Sequence, residues 1–97
     1  MAIEVRQTVE FESWLRRLKD ANAYVRIVAR IRRMEAGNPG DAKSVGGGLM
    51  EMRIDYGPGY RVYDVQQGKV VILLLCAGTK QTQSSDVKRA RELAEQL

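Results

Sequence analysis

The chain has 97 residues, 44% of them hydrophobic and 29% charged, which excludes a disordered tail and fits one soluble domain spanning residues 1–97. Sixteen Lys and Arg against twelve Asp and Glu leave a net charge of +4, compatible with a polyanionic partner without requiring one. One cysteine excludes an internal disulfide, and the absence of any histidine argues against a catalytic zinc site. The longest apolar run, Val70 to Ala77, is too short to cross a bilayer. Met1-Ala2-Ile3-Glu4 leads straight into mixed polar sequence, with no leader pattern. Together with the lone cysteine, this predicts a cytoplasmic protein. Cys76, flanked by Leu73-Leu74-Leu75 and Ala77, reads as a buried structural thiol with no histidine to activate it.

Ile3 to Arg6 alternates and predicts a short first strand. Thr8 then precedes a helix whose apolar residues Phe11, Trp14, Leu15 and Leu18 fall on one face, with Glu10 and Glu12 suited to the positive end of its dipole. Asp20-Ala21-Asn22 breaks the pattern. A second helix follows, with Val25, Val28, Ile31 and Met34 expected to face inward, and it stops at Gly37-Asn38-Pro39-Gly40. Gly46-Gly47-Gly48 lacks the Lys-Ser/Thr tail of a phosphate-binding loop and reads as a flexible connector. Beyond it the period changes to two: Met50, Met52, Ile54 and Tyr56 alternate with polar residues. Gly57-Pro58-Gly59 turns the chain into a returning strand from Tyr60 to Gln66, and Gln67-Gly68 turns it again. Lys69 to Ala77 suits a central strand covered on both faces. Gly78 to Gln83 reads as a loop, and Ser84 or Ser85 as the cap of a final helix with Val87, Ala90, Leu93 and Ala94 on one side. The order β-α-α-β-β-β-α, two helices followed by a mostly antiparallel sheet, makes the fold class α+β.

The Gly57-Pro58-Gly59 hairpin carries a geometric expectation. If Tyr56 faces Tyr60, then Asp55 lies opposite Arg61 and Arg53 opposite Tyr63. Arg53, Asp55, Arg61 and Tyr63 then share one face, while Met52, Ile54, Tyr60 and Val62 take the other, against the helices. Lys80, just after the last core strand, reaches the same face if the strands are adjacent. Cations around an aromatic ring suit a phosphodiester with an unstacked base, since guanidinium pairs with phosphate oxygens and Tyr offers a stacking surface. The same residues also read as an exposed cross-strand salt-bridge ladder, worth well under about 1 kcal/mol per pair. Arg16, Arg17, Lys19, Arg26, Arg30, Arg32 and Arg33 crowd the two helices, either as a solvated face or as a docking surface for RNA.

Glu51-Met-Arg-Ile-Asp-Tyr-Gly-Pro-Gly-Tyr-Arg-Val-Tyr63, then Val70 to Cys76, then Gly78-Thr-Lys80 and Gln83, resembles the RelE/ParE toxin superfamily. Phe11-x-x-Trp14-Leu15 and Gly37-Asn38-Pro39-Gly40-Asp41 resemble its HigB-like branch, the addiction-module killer proteins. The match spans essentially the whole chain in order. The resemblance implies two helices packed on a small antiparallel sheet. It also implies a toxin of a type II toxin–antitoxin system: a ribosome-dependent mRNA endoribonuclease that needs no metal or other cofactor.

Carried over by position, the catalytic residues are Arg53, Arg61 and Lys80; the expected RNA contacts are Tyr63, from its stacking surface, and Arg30 and Arg33, from the basic helices. Arg61 would stabilise charge on the phosphoryl oxygens, Arg53 would orient the phosphate, and Lys80 would donate a proton or add charge. The chain departs from the pattern at its end: many family nucleases carry a Tyr or His near the last helix, whereas the last aromatic here is Tyr63. Asp86 falls roughly at that place, and Asp86, Glu51 and Asp55 are the acid/base candidates. The implied partners are a small helix-turn-helix antitoxin, the ribosome and mRNA. Two alternatives remain on the same fold: a ParE-like toxin that binds DNA gyrase and cleaves nothing, and a degenerate copy that retains only antitoxin binding.

Overall fold

Thr8 opens the first helix of the computed structural model, which describes residues 3–97; Met1 and Ala2, part of the reading of the chain's start, lie outside them. Its hydroxyl accepts from Phe11 N at 3.0 Å and donates to Leu75 O at 2.6 Å, so one side chain caps the helix and ties it to the sheet. The helix, α1 (Val9–Arg16), follows strand β1 (Glu4–Gln7) and buries Phe11 and Leu15. Asp20 then caps α2 (Ala21–Glu35), its carboxylate accepting from Asn22 N and Ala23 N.

The buried stripe of α2 is Ala23, Ile27, Ile31 and Met34, which corrects the expectation for Val25. Val25 sits two residues from Ala23, about 200° around the helix, and is 63% exposed. Gly37, at φ 87°, ends the helix in the left-handed conformation, and Asn38 N reaches back to Arg33 O at 2.9 Å.

The sheet has five strands, one more than the sequence suggests. The addition is β2 (Ala42–Gly46), an edge strand whose composition offers only Ala42 and Val45 as inward residues, too few to register as a period. Gly46-Gly47-Gly48 is therefore no flexible connector. Gly47 and Gly48, both at positive φ, form a two-residue turn between β2 and β3 (Leu49–Ile54). Strands β4 (Tyr60–Gln67) and β5 (Val71–Thr79) complete the sheet in the order β1-β5-β4-β3-β2. β1 pairs parallel with β5 and every other pairing is antiparallel, so the sheet is mixed. A single 3₁₀ turn (Lys80–Thr82) leads into α3 (Gln83–Glu95), whose N-cap position is Thr82, earlier than the expected cap at Ser84 or Ser85.

The β3–β4 register is Ile54↔Tyr60, Arg53↔Arg61, Met52↔Val62 and Glu51↔Tyr63. This differs by two residues from the expected pairing, because Asp55 and Tyr56 join the turn. A shift of two preserves which side chains share a face. Met52, Ile54, Tyr60 and Val62 pack against Phe11, Leu15, Ile27 and Ile31, as expected. The opposite face carries a second core of Leu49, Tyr63, Leu73, Leu75 and Cys76 under Ala90 and Val87 of α3. β5 is thus covered on both sides, which explains its uninterrupted apolar run. The Cys76 thiol donates to Asp86 O at 3.5 Å, and burial pushes its pKa up to about 12, so it is structural.

β5 carries one extra residue against β4, so that Tyr63 pairs with Cys76 but Asp64 with Leu74. The bulge leaves Asp64 4% exposed, and burial raises its pKa to about 7. A carboxyl whose pKa is higher folded than unfolded contributes most below the unfolded value and loses that contribution as pH rises through the folded one. Stability should accordingly decline between about pH 4 and 7, by at most roughly 4 kcal/mol. Asp64→Asn should flatten that decline in denaturation curves taken across the range and be the more stable form at pH 8. Removing the fully buried Phe11 ring as Phe11→Ala should cost about 3–5 kcal/mol in the same measurement.

Candidate functional site

The β3–β4 hairpin places Arg53 and Arg61 directly opposite each other on the face away from α1 and α2. Like charges at facing positions oppose the pairing that holds them. Each guanidinium has one nitrogen tethered: Arg61 Nη1 donates to Tyr60 O at 3.2 Å, and Arg53 Nη2 to Asp41 Oδ1 at 3.3 Å. Among the described residues, four buried side-chain nitrogen or oxygen atoms lack a hydrogen-bond partner. Three of them, Arg53 Nε, Arg61 Nε and Glu51 Oε1, lie on this face.

The turn brings the third cation in. Gly59 adopts φ 80° and its carbonyl accepts from Lys80 N at 2.7 Å, which pins the end of β5 to the hairpin tip. A Cβ at Gly59 would stand 3.5 Å from both Arg61 Nη1 and the Lys80 side chain, so these two cations flank the glycine. Arg53, Arg61 and Lys80 together line an open cleft of about 430 Å³, with Asp41, Asp55 and residues 57–59 completing its wall. The expected trio is therefore assembled in one place.

Beside the arginines lies a buried polar rung. Tyr63 Oη donates to Glu51 Oε2 at 2.9 Å and Gln83 Nε2 donates to the same oxygen at 2.7 Å. Burial first, and the Glu51 hydrogen bond second, hold the Tyr63 phenol above its ordinary pKa. Tyr63 is 0% exposed. The expectation that its ring stacks on an unpaired base is therefore corrected: no face of it is open. Glu51, equally buried, is removed from the acid/base candidates in the same way.

Two further expectations change. Arg30 is not a free RNA contact, since its guanidinium donates to Arg53 O at 2.6 Å, Pro39 O at 2.9 Å and Asp41 O at 3.2 Å. Desolvation, reinforced by the nearby Arg33, lowers its pKa from the usual arginine value. Arg33 is exposed on α2 and does not line the cleft. Asp86 packs against Gly78, where a Cβ would come within 1.8 Å of its Oδ2, and accepts from the Thr82 hydroxyl. It does not line the cleft and serves the start of α3. Asp55, expected opposite Arg61 in a salt-bridge ladder, takes part in no ion pair among the described residues. What sequence reasoning missed is Asp41, whose place in the cleft is set by a loop and by Arg30, neither of which leaves a periodic signal.

The chain is similar to known proteins in sequence and in shape. It is 50% identical to an uncharacterised protein of Haemophilus influenzae (strain ATCC 51907 / DSM 11121 / KW20 / Rd) over all of its length and 98% of that protein's. A mutant of the E. coli toxin RelE, solved in the free state, superposes with a TM-score of 0.68. That match covers 92% of this chain and 98% of the other at 19% identity, which establishes a shared fold. Residues 13–97, which hold the second half of α1, all of α2 and α3, four of the five strands and every cleft residue, match the family described as Phage derived protein Gp49-like (DUF891), and the chain belongs to that family.

Proposed function

We propose that this protein is the toxin of a type II toxin–antitoxin pair, of the HigB-like kind, and that it cleaves mRNA on the ribosome without a metal. The observation that carries the reading is the Arg53↔Arg61 rung, with both Nε atoms buried and unpartnered beside Lys80. Facing like charges are costly for folding alone, and a phosphate oxyanion in the cleft that they line with Lys80 offsets that cost. The RelE-like fold and the Gp49-like family agree with the reading.

In the proposed reaction the RNA 2′-oxygen attacks the adjacent phosphorus and the bond to the 5′-oxygen breaks. Arg61, permanently charged, stabilises the negative charge that grows on the non-bridging oxygens. Arg53, tethered on one side by Asp41, orients the phosphate. Lys80, exposed at the rim, protonates the departing 5′-oxygen. Ribosomal RNA and the message would supply the shape of the substrate, and the basic helices, Arg33 included, a surface for RNA or for an acidic antitoxin segment. The proposed antitoxin is a small helix-turn-helix protein, and the proposed compartment is the cytoplasm, where both partners reside.

Mapping mRNA ends in a reconstituted translation extract tests this. Wild type should cut at the ribosomal A site. Arg61→Ala should lower the cleavage rate by about 10²–10³-fold, the scale of losing one oxyanion donor. Lys80→Ala should fall with it. Intact messages with a folded wild-type protein would sink the nuclease reading, and inhibition of DNA gyrase instead would establish the ParE-like one.

A further inference from the structure

Two carboxylates share the cleft with the three cations, and they are held very differently. Asp55 lies just beyond the last β3 residue, and its carboxylate takes part in no side-chain hydrogen bond or ion pair among the described residues. Asp41 is clamped. Its carbonyl accepts from Arg53 N at 2.9 Å and from Arg30 Nη2 at 3.2 Å. The same Arg30 guanidinium also binds Pro39 O and Arg53 O, stitching α2, the 39–41 segment and β3 into one piece. Gly40 makes this packing possible. It adopts φ +74°, and a Cβ there would come within 2.9 Å of Arg30 Nη2. A half-buried guanidinium is thus committed to fixing the backbone of a residue whose side chain stands in the cleft. That carboxylate is directed at Arg53, with Oδ1 3.3 Å from Nη2. The remaining carboxyls near the cleft are unsuited: Glu51 is fully buried and Asp86 is turned to Thr82.

Resting on the nuclease reading of this cleft, we propose that Asp41 is its general base. The Asp41 carboxylate takes the proton from the RNA 2′-hydroxyl as the 2′-oxygen bonds to phosphorus. The bond from phosphorus to the 5′-oxygen breaks, and that oxygen receives a proton from the Lys80 ammonium. The products are a 2′,3′-cyclic phosphate and a 5′-hydroxyl. Asp41 ends neutral and Lys80 ends uncharged, so one proton has crossed the site and solvent resets both. Arg53 serves two partners at once: Nη2 steadies the base, while the cleft-lining part of its guanidinium faces the phosphate, which brings base and phosphorus together.

The test is single-turnover cleavage of an A-site message on programmed ribosomes, at saturating full-length protein, with the ribosome Kd measured separately. Asp41→Asn keeps the backbone carbonyl that Arg30 and Arg53 grip. It should slow the chemical step by about 10²–10⁴-fold while Kd stays within about threefold. Its residual rate should climb about tenfold per pH unit over about pH 6 to 9, because hydroxide then has to take the proton, whereas the wild-type rate should not. Asp41→Glu should recover part of the loss. A variant as fast as wild type, or faster, would mean that Asp41 only neutralises Arg53, and would overturn the assignment. So would a loss confined to Kd, or a collapse of the chemical step in Asp55→Asn with Asp41→Asn unaffected. A wild-type protein that never cleaves removes the nuclease reading and the base with it, an outcome visible in the wild-type arm alone.

Discussion

Arg53 and Arg61 face each other across a strand ladder, where mutual repulsion works against the pairing. That pairing holds because the other face of the same hairpin is an apolar zipper. Met52 opposes Val62 and Ile54 opposes Tyr60, all four buried against α1 and α2. Burying each such side chain is worth roughly 1.5–3 kcal/mol, whereas a like-charge rung costs under about 1 kcal/mol. The core therefore dictates the register, and the register forces the two guanidiniums together. A slip of one residue would turn the arginines into the core and expose the zipper. The cationic cleft is a consequence of where the hydrophobic residues must go.

Around that rung the polar groups divide into those that are spent and those that are free. Tyr63 and Gln83 both donate to Glu51 Oε2 in a network that joins β3, β4 and α3, while Glu51 Oε1 stays without a partner. Arg30 is consumed by three backbone carbonyls, and Arg89 by Glu10, which it grips through Nε and Nη2, holding the Glu10 carboxyl below its usual pKa. Arg91 is likewise occupied by the carbonyls of Val45 and Gly46, securing the edge hairpin. The side chains left facing the open cleft are Arg53, Arg61 and Lys80 with Asp41 and Asp55. Part of the basic charge is thus spent on structure, while Arg53, Arg61 and Lys80 gather at one hairpin tip and other cations, Arg32 and Arg33 among them, stand exposed on α2.

Much of this was legible beforehand, for reasons that differ by element. The alternation from Met50 to Val62 located the hairpin and its faces, since a period of two survives an even shift in register; only the width of the turn was misjudged. The continuous run in β5 correctly implied cover on both sides. β2 was hidden because an edge strand with two half-buried residues carries no period. Val25 was misplaced because α2 is rich in apolar residues on more than one side, and only packing against Met52 and Ile54 selects the Ala23–Ile27–Ile31 stripe. Roles of polar residues were harder still. Tyr63 and Arg30 have the right chemistry for RNA, but burial decides whether chemistry is available, and burial depends on the bulge in β5 and the path of the 39–41 segment. Asp41 escaped notice for the mirror reason: its importance lies in a loop conformation that Gly40 permits and Arg30 enforces.

In the proposed reaction the Arg53–Arg61 rung holds a phosphodiester whose own 2′-oxygen is the nucleophile. Its most direct test is a message carrying one 2′-deoxy nucleotide at the A-site scissile position, offered to the wild-type protein on the ribosome beside the all-ribose message. The ribose message should be cleaved to a 2′,3′-cyclic phosphate and a 5′-hydroxyl, with no cleavage at the deoxy position. Equal cleavage of both messages, or none of either, would contradict the proposed reaction.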